Sequence, residues 1–204
     1  ECYAWTTSWG ASTRLIGGMI MTHGDDDGVI LPPRVASSHV VLLPIVRKAE
    51  DRPDIMAYTE NIAKALREKT YFGSPIRVEL DDRDIGGARG WDWIKKGIPV
   101  RVEIGPKDIE KDALFVGRRD HEPRQKASIP RARFVQDFTA ILDDIQGHLF
   151  KRAQDFREAH TQPLDTRDVF DAYFTPTSPE KPEIHGGFAL SHWCGDAPCE
   201  KQIK

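Results

Sequence analysis

The stretch HVVLLPIV, His39 to Val46, decides the fold. Its apolar side chains run on without alternation, the pattern of a strand covered on both faces. Downstream, Asp51 to Lys69 places Ile55, Thr59, Ile62 and Leu66 at helical spacing, with Pro53 in the first turn. Ile76 to Leu80 (IRVEL) alternates like a strand, and Asp84 to Lys96 is broken by glycine at first and then helical. Val100 to Ile104 (VRVEI) and Leu114 to Val116 are further strands. Strand, helix, strand, helix, strand at this spacing predicts the α/β class: a mixed, largely parallel sheet with helices on both faces.

Working outward, Arg131 to about His160 reads as one long helix carrying Phe134, Phe138, Ile141, Ile145, Leu149, Ala153 and Phe156, weakly interrupted by Gly147. Asp165 to Phe174 is a short helix capped by Asp165 or Thr166. The Pro-rich TPTSPEKPE, Thr175 to Glu183, connects it to a final small unit from His185. On the N-terminal side, Thr6 to Ser12 reads as a strand and Thr13 to His23 as a helix with Leu15, Ile16, Met19 and Ile20 on one side. Asp25 to Gly28 is a turn, and Pro32-Pro33 closes this part. The expected division is therefore 1–36, 37–145 and 146–204, the last being the start of a small α+β domain.

The 204 residues are 39% apolar and 30% charged, which fits a soluble globular protein of one large or two modest domains. No apolar run approaches the ~18–20 residues of a spanning helix, and no secretion signal is visible. Cys2, Cys194 and Cys199 cannot form a paired framework and suit a reducing cytosol. The chain does not begin with Met and its first motif starts at once, so it reads as a piece of something longer. Net charge is only −3, but Gly86 to Val135 holds twelve Lys/Arg against seven Asp/Glu. A basic segment in an acidic chain is either a phosphate footprint or a mixed-charge solvated surface.

Three groups of residues carry chemistry. In TTSWGASTRLIGGMIMTHGDDDGVILPPRVA, Thr6 to Ala36, glycines stand at 10, 17, 18, 24 and 28, and Arg14 sits where strand meets helix. Such a guanidinium stacks on a purine and donates to phosphate oxygens together, with the Ser12 hydroxyl beside it. A surface Arg before a core helix would look alike on S-T-R alone; the flanking SWG, IGGMIMTHGDDDG and LPPRVA set it apart. The three aspartates either hold Mg²⁺ or end a helix in a solvated turn, and the second reading is preferred. In GIPVRVEIGPKD, Gly97 to Asp108, Arg101, Glu103 and Gly105 share one face and Lys107 projects past the strand end. With Trp91 and Trp93 nearby, that is equipment for splayed single-stranded bases, although a surface charge and core tryptophans are the alternatives. Last, Cys194 and Cys199 in HWCGDAPCE offer two of the four ligands of a structural zinc, and His185 and His192 do not complete a recognised set.

The first two motifs, in this order and at this separation, resemble the third signature motif and the anticodon-binding domain of prolyl-tRNA synthetases, class II, archaeal/eukaryote-like type. The resemblance covers nearly the whole chain and is loosest between Gln162 and Ile184. It implies that Arg14, with Ser12, contacts ATP and acts in catalysis. It implies that Arg101 and Lys107 read the two G bases of the proline anticodon, and Trp93 is the aromatic expected to bind beside them. Cys194 and Cys199 resemble half of a zinc site. Implied cofactors are ATP with Mg²⁺ and, in a complete C-terminal domain, Zn²⁺; implied partners are tRNA(Pro) and proline, in a cytoplasmic homodimer with no membrane contact. Ile94 departs from the pattern, since many members carry an acidic residue there; either Asp92 takes that role or the contact is lost. Threonyl-, histidyl- and glycyl-tRNA synthetases share such a domain, and a stand-alone tRNA-binding or regulatory module without catalysis is the rival from another class.

Overall fold

The computed structural model describes residues 3–4, 6–180 and 187–203, so Cys2 and His185 lie outside the described residues. Two compact units divide at 150/151.

The first unit opens with α1 (Arg14–His23). Residues 6–12 form no strand, contrary to the sequence expectation. An extended segment becomes a strand only with a hydrogen-bonding neighbour, and no described strand lies beside it. After the Asp25–Gly28 bridge the chain enters β1 (Val40–Pro44), followed by a 3-10 turn and α2 (Arg52–Arg67). Next come β2 (Thr70–Tyr71), β3 (Ser74–Pro75) and β4 (Val78–Leu80), then α3 (Ala88–Lys95) and β5 (Val100–Ile104). Then follow α4 (Pro106–Glu110), β6 (Ala113–Arg118), β7 (Lys126–Pro130) and α5 (Arg131–Ala159).

The sheet order is β4-β1-β5-β6-β7. Pairing is parallel across β4, β1 and β5 and antiparallel on to β6 and β7, the mixed α/β sheet read from the sequence. Strand β7 and the β2–β3 hairpin were not foreseen. The hairpin turns at Phe72 and Gly73, both at positive φ, as a type I′ turn requires.

The unbroken apolar run of β1 is explained by its two faces. Val40 and Leu42 join Val100, Val102, Ile104, Leu114 and Val116 under α2 and α5. From α2 come Ile55, Ile62, Ala63 and Leu66; Thr59 is buried too, its hydroxyl donating to the Ile55 carbonyl at 2.7 Å. From α5 come Phe134, Phe138, Leu142, Ile145 and Leu149. Val41 and Leu43 face the other way, packing with Ile98 and with Trp93 of α3. The second unit holds β8 (Thr161–Pro163), α6 (Arg167–Phe174), β9 (Phe188–Leu190) and α7 (Ala197–Ile203). Strands β8 and β9 pair in parallel, and Thr166 caps α6 by accepting from the Val169 N–H.

Candidate nucleic-acid interface

Strand β5 distributes its side chains by period two. Val100, Val102 and Ile104 feed the core under α2 and α5. Arg101 and Glu103 therefore stand on the opposite face, the one α3 crosses. Arg101 is only 3% exposed, and this is where the structure differs from the expectation of an outward strand charge. Its Nη2 donates to the Pro123 carbonyl at 3.2 Å, while Nη1 is buried without a hydrogen-bond partner. Burial lowers its pKa to about 10; repulsion from Arg119 adds to this and Glu103 opposes it. Gly117 on β6 makes room for it, since a Cβ there would stand 3.2 Å from Nη2.

This guanidinium lines a cleft of about 400 Å³. Its walls are Gly87, Gly90, Trp91 and Ile94 on the α3 side, Phe115 and Lys126 on β6 and β7, and the Pro123–Arg124 turn. Exposed Lys107 lines a neighbouring groove of about 560 Å³ together with Arg47 and Lys48. Glu103 and Phe115 belong to both, so Arg101 and Lys107 open onto adjoining spaces. A third cleft, with Arg52, Asp82, Arg83 and Arg89, also reaches Glu103. The second and third lie where the parallel strands β1 and β5 end, the position at which open α/β sheets bind ligands, and the Arg101 cleft adjoins them on the sheet face.

Trp93 is not brought to this site. Two positions apart on a helix point to nearly opposite sides, so Trp91 faces the Arg101 cleft and Trp93 packs on Val41, Leu43 and Ile98. The Trp93 indole N–H donates to Asp81 at 2.6 Å, and Lys96 lies 4.2 Å from its ring centroid. Arg83 first, then that N–H, hold the Asp81 carboxyl well below the usual carboxylate range. Asp92 faces Arg83 at 3.4 Å and does not line the cleft, whereas Ile94 does.

Ser12 and Arg14 lie away from these clefts. Both are exposed, and no residue of α1 is buried: Leu15, Ile16, Ile20 and Met21 present an uncovered apolar stripe. Of the three aspartates, Asp25 has a defined partner. Its carboxylate receives Nη1 and Nη2 of Arg119 at 2.7 and 2.5 Å. Cys194, Cys199 and Asp196 are exposed and bring their donor atoms within 4.8 Å of one another, three donors against the four of a closed zinc site. The Asp196 amide, then Cys199, lowers the Cys194 thiol pKa, and Cys194 raises that of Cys199. His192 sits instead 3.4 Å from Asp165. In the other potential ligand cluster, Asp120 with His121 and His148, Arg118 occupies both oxygens of Asp120.

The sequence pattern offered both Trp91 and Trp93 without separating the one at the cleft, and it gave no sign of Phe115, Lys126 or Arg119. Alternation along β5 already placed Glu103 beside Arg101. Nothing in the local pattern marked Arg119, whose partner Asp25 is 94 positions away.

A sheet of this order, with a buried cation and aromatic residues lining one cleft, defines an α/β domain with a candidate site for bases. The family model described as "Anticodon binding domain" matches residues 39–140, half of the chain, and the chain belongs to that family. Its relatives are specific: "Proline--tRNA ligase 2" of Anaeromyxobacter dehalogenans is 53% identical over 99% of this chain and 41% of its own length. "Proline--tRNA ligase" of Protochlamydia amoebophila is 47% identical over 98% of this chain and 40% of its own length. The crystal structure of prolyl-tRNA synthetase from Cryptosporidium parvum, complexed with L-proline and AMP, superposes with a TM-score of 0.76 at 32% identity. That match covers 94% of this chain and 38% of the other. The chain thus spans about two fifths of the length of the curated relatives it matches. No helix among the described residues is long and apolar enough to cross a membrane.

Proposed function

We propose that this chain recognises the anticodon of tRNA(Pro) and is part of a proline-tRNA ligase. The carrying observation is Arg101, 97% buried with Nη1 lacking a hydrogen-bond partner, in the wall of a cleft next to the Lys107 groove. A desolvated cation is costly unless a ligand completes its hydrogen bonds. The O6 and N7 acceptors of an unpaired guanine match a guanidinium, and Trp91 and Phe115 supply stacking surfaces.

In this reading the parent protein joins proline to ATP, the carboxylate attacking the α-phosphate to give prolyl-adenylate and pyrophosphate, and then passes the prolyl group to tRNA. Arg14 contacts ATP with Ser12 and neutralises phosphate charge in that reaction, with Mg²⁺ as the companion cation. The division is 1–36 for the end of the catalytic domain, 37–145 for anticodon binding and 146–204 for the start of a further domain. There Cys194 and Cys199 would supply two zinc ligands. The parent is a cytoplasmic homodimer. Filter binding of anticodon stem-loops tests the reading: a GG anticodon should bind more tightly than a CC one, and equal affinities overturn it.

A further inference from the structure

We propose that Glu103 is the acceptor that reads the donor edge of a guanine whose O6 and N7 are held by Arg101, so that one base is gripped by two successive residues on the α3 face of β5. The inference rests on the anticodon reading above.

Guanine carries two signatures. O6 and N7 accept, which suits a guanidinium; N1–H and the N2 amino group donate side by side, which suits a carboxylate. Of the residues lining the Arg101 cleft, Glu103 carries the only carboxylate. Ile94, on the cleft wall, has no acceptor in its side chain, and Asp92 is turned to Arg83.

Position favours the same residue. Arg101 and Glu103 are two apart on one strand face, so their Cα atoms are about 6.7 Å apart. Both line the same cleft, together with Trp91 and Phe115. The carboxylate is also held in place. Lys126 Nζ donates to its Oε1 at 2.5 Å, and the side chain is only 28% exposed. Oε2 makes no hydrogen bond among the described residues. Lys126, 5.4 Å from the Phe115 ring centroid, ties the carboxylate to one aromatic wall. The cleft remains net basic, with Arg101, Arg124 and Lys126 against this one acid, so a carboxylate is compatible with RNA binding there.

Inosine lacks only the N2 amino group of guanine, so it isolates the contact. Stem-loop RNAs with a GG anticodon, with inosine at each G in turn, and with a CC anticodon are titrated against the chain at fixed salt. For the native chain, inosine at one of the two positions should weaken binding about tenfold. In Glu103→Gln the amide opposes a donor to the base, so the guanosine-to-inosine ratio should fall below about twofold while GG remains preferred over CC. Should Glu103→Gln fold poorly by circular dichroism, Glu103→Ala repeats the measurement. The inosine series on the native chain is decisive without any variant. Indifference of the native chain to inosine, or an unchanged ratio in both variants, overturns the role of Glu103 and leaves anticodon recognition standing. Equal binding of GG and CC loops overturns anticodon recognition itself.

Discussion

Asp25 and Arg119 form a two-pronged ion pair across 94 positions of chain. The guanidinium is 99% buried and engaged through all three nitrogens: besides both Asp25 oxygens, it donates to the carbonyls of Ile94 at 3.0 Å and Gly28 at 3.1 Å. One side chain therefore fastens the turn after α1 to the end of α3, the helix whose Ile94 lines the Arg101 cleft.

Asp25→Asn leaves that buried cation short of its counter-charge. Asp25 is part exposed, so water offsets some of the loss and the expected cost is about 2 kcal/mol, read from urea unfolding at pH 7. The Arg119 hydrogen bonds, chiefly, lower the Asp25 pKa. Its stabilising contribution is present above the unfolded value of 3.8 and is lost as pH falls through the lower folded value. The native chain and the variant should converge in stability there.

His39 answers to a different pH window. Burial, then the Arg77 charge, lowers its pKa from 6.5 to about 4, and its Nδ1 accepts from the Arg77 N–H at 3.0 Å. Between those values the unfolded chain binds the extra proton, so stability rises with pH. Unfolding free energy should fall by up to about 3 kcal/mol between pH 7 and pH 4 through this group. His39→Gln should flatten that part of the pH profile.

Arg101→Met should separate binding from folding. Replacing a buried, incompletely bonded cation by an apolar chain of similar length should stabilise the domain by about 1 kcal/mol. Affinity for a GG stem-loop should drop by about tenfold or more. A fall in melting temperature would instead assign Arg101 to the scaffold.

Gly97→Ala tests the seam between residues 28–31 and the end of α3. Gly97 has φ +72°, and a Cβ there would lie 2.5 Å from the Val29 carbonyl oxygen. Leu31 N–H donates to the Gly97 carbonyl at 3.2 Å, so the backbones cannot simply part. The cost should reach about 2 kcal/mol in thermal unfolding.

Elements with a strong period were legible in the sequence. Helix α2 buries the four residues its spacing marked, and β5 runs from Val100 to Ile104 as read. On α5, Leu142 is buried where the pattern suggested Ile141, because the true helical period drifts over so long an element. Strand β7 escaped because only one of its side chains, Ile129, packs against the core, too little contrast for a period-two signal. For the site, alternation identified the face shared by Arg101 and Glu103 but not the helix lying over it. Burial of Arg101, and the exchange of Trp93 for Trp91 at the cleft, are set by how α3 crosses the sheet. That is a tertiary fact, with no trace in local spacing.

Because β5 gives alternate side chains to the interior and to the cleft, its length is constrained more strictly than its composition. A single inserted or deleted residue ahead of Arg101 would invert the strand, driving charges inward and aliphatic groups toward the cleft. Variation in this segment should accordingly be found as point exchanges, with indels confined to the turns that flank it.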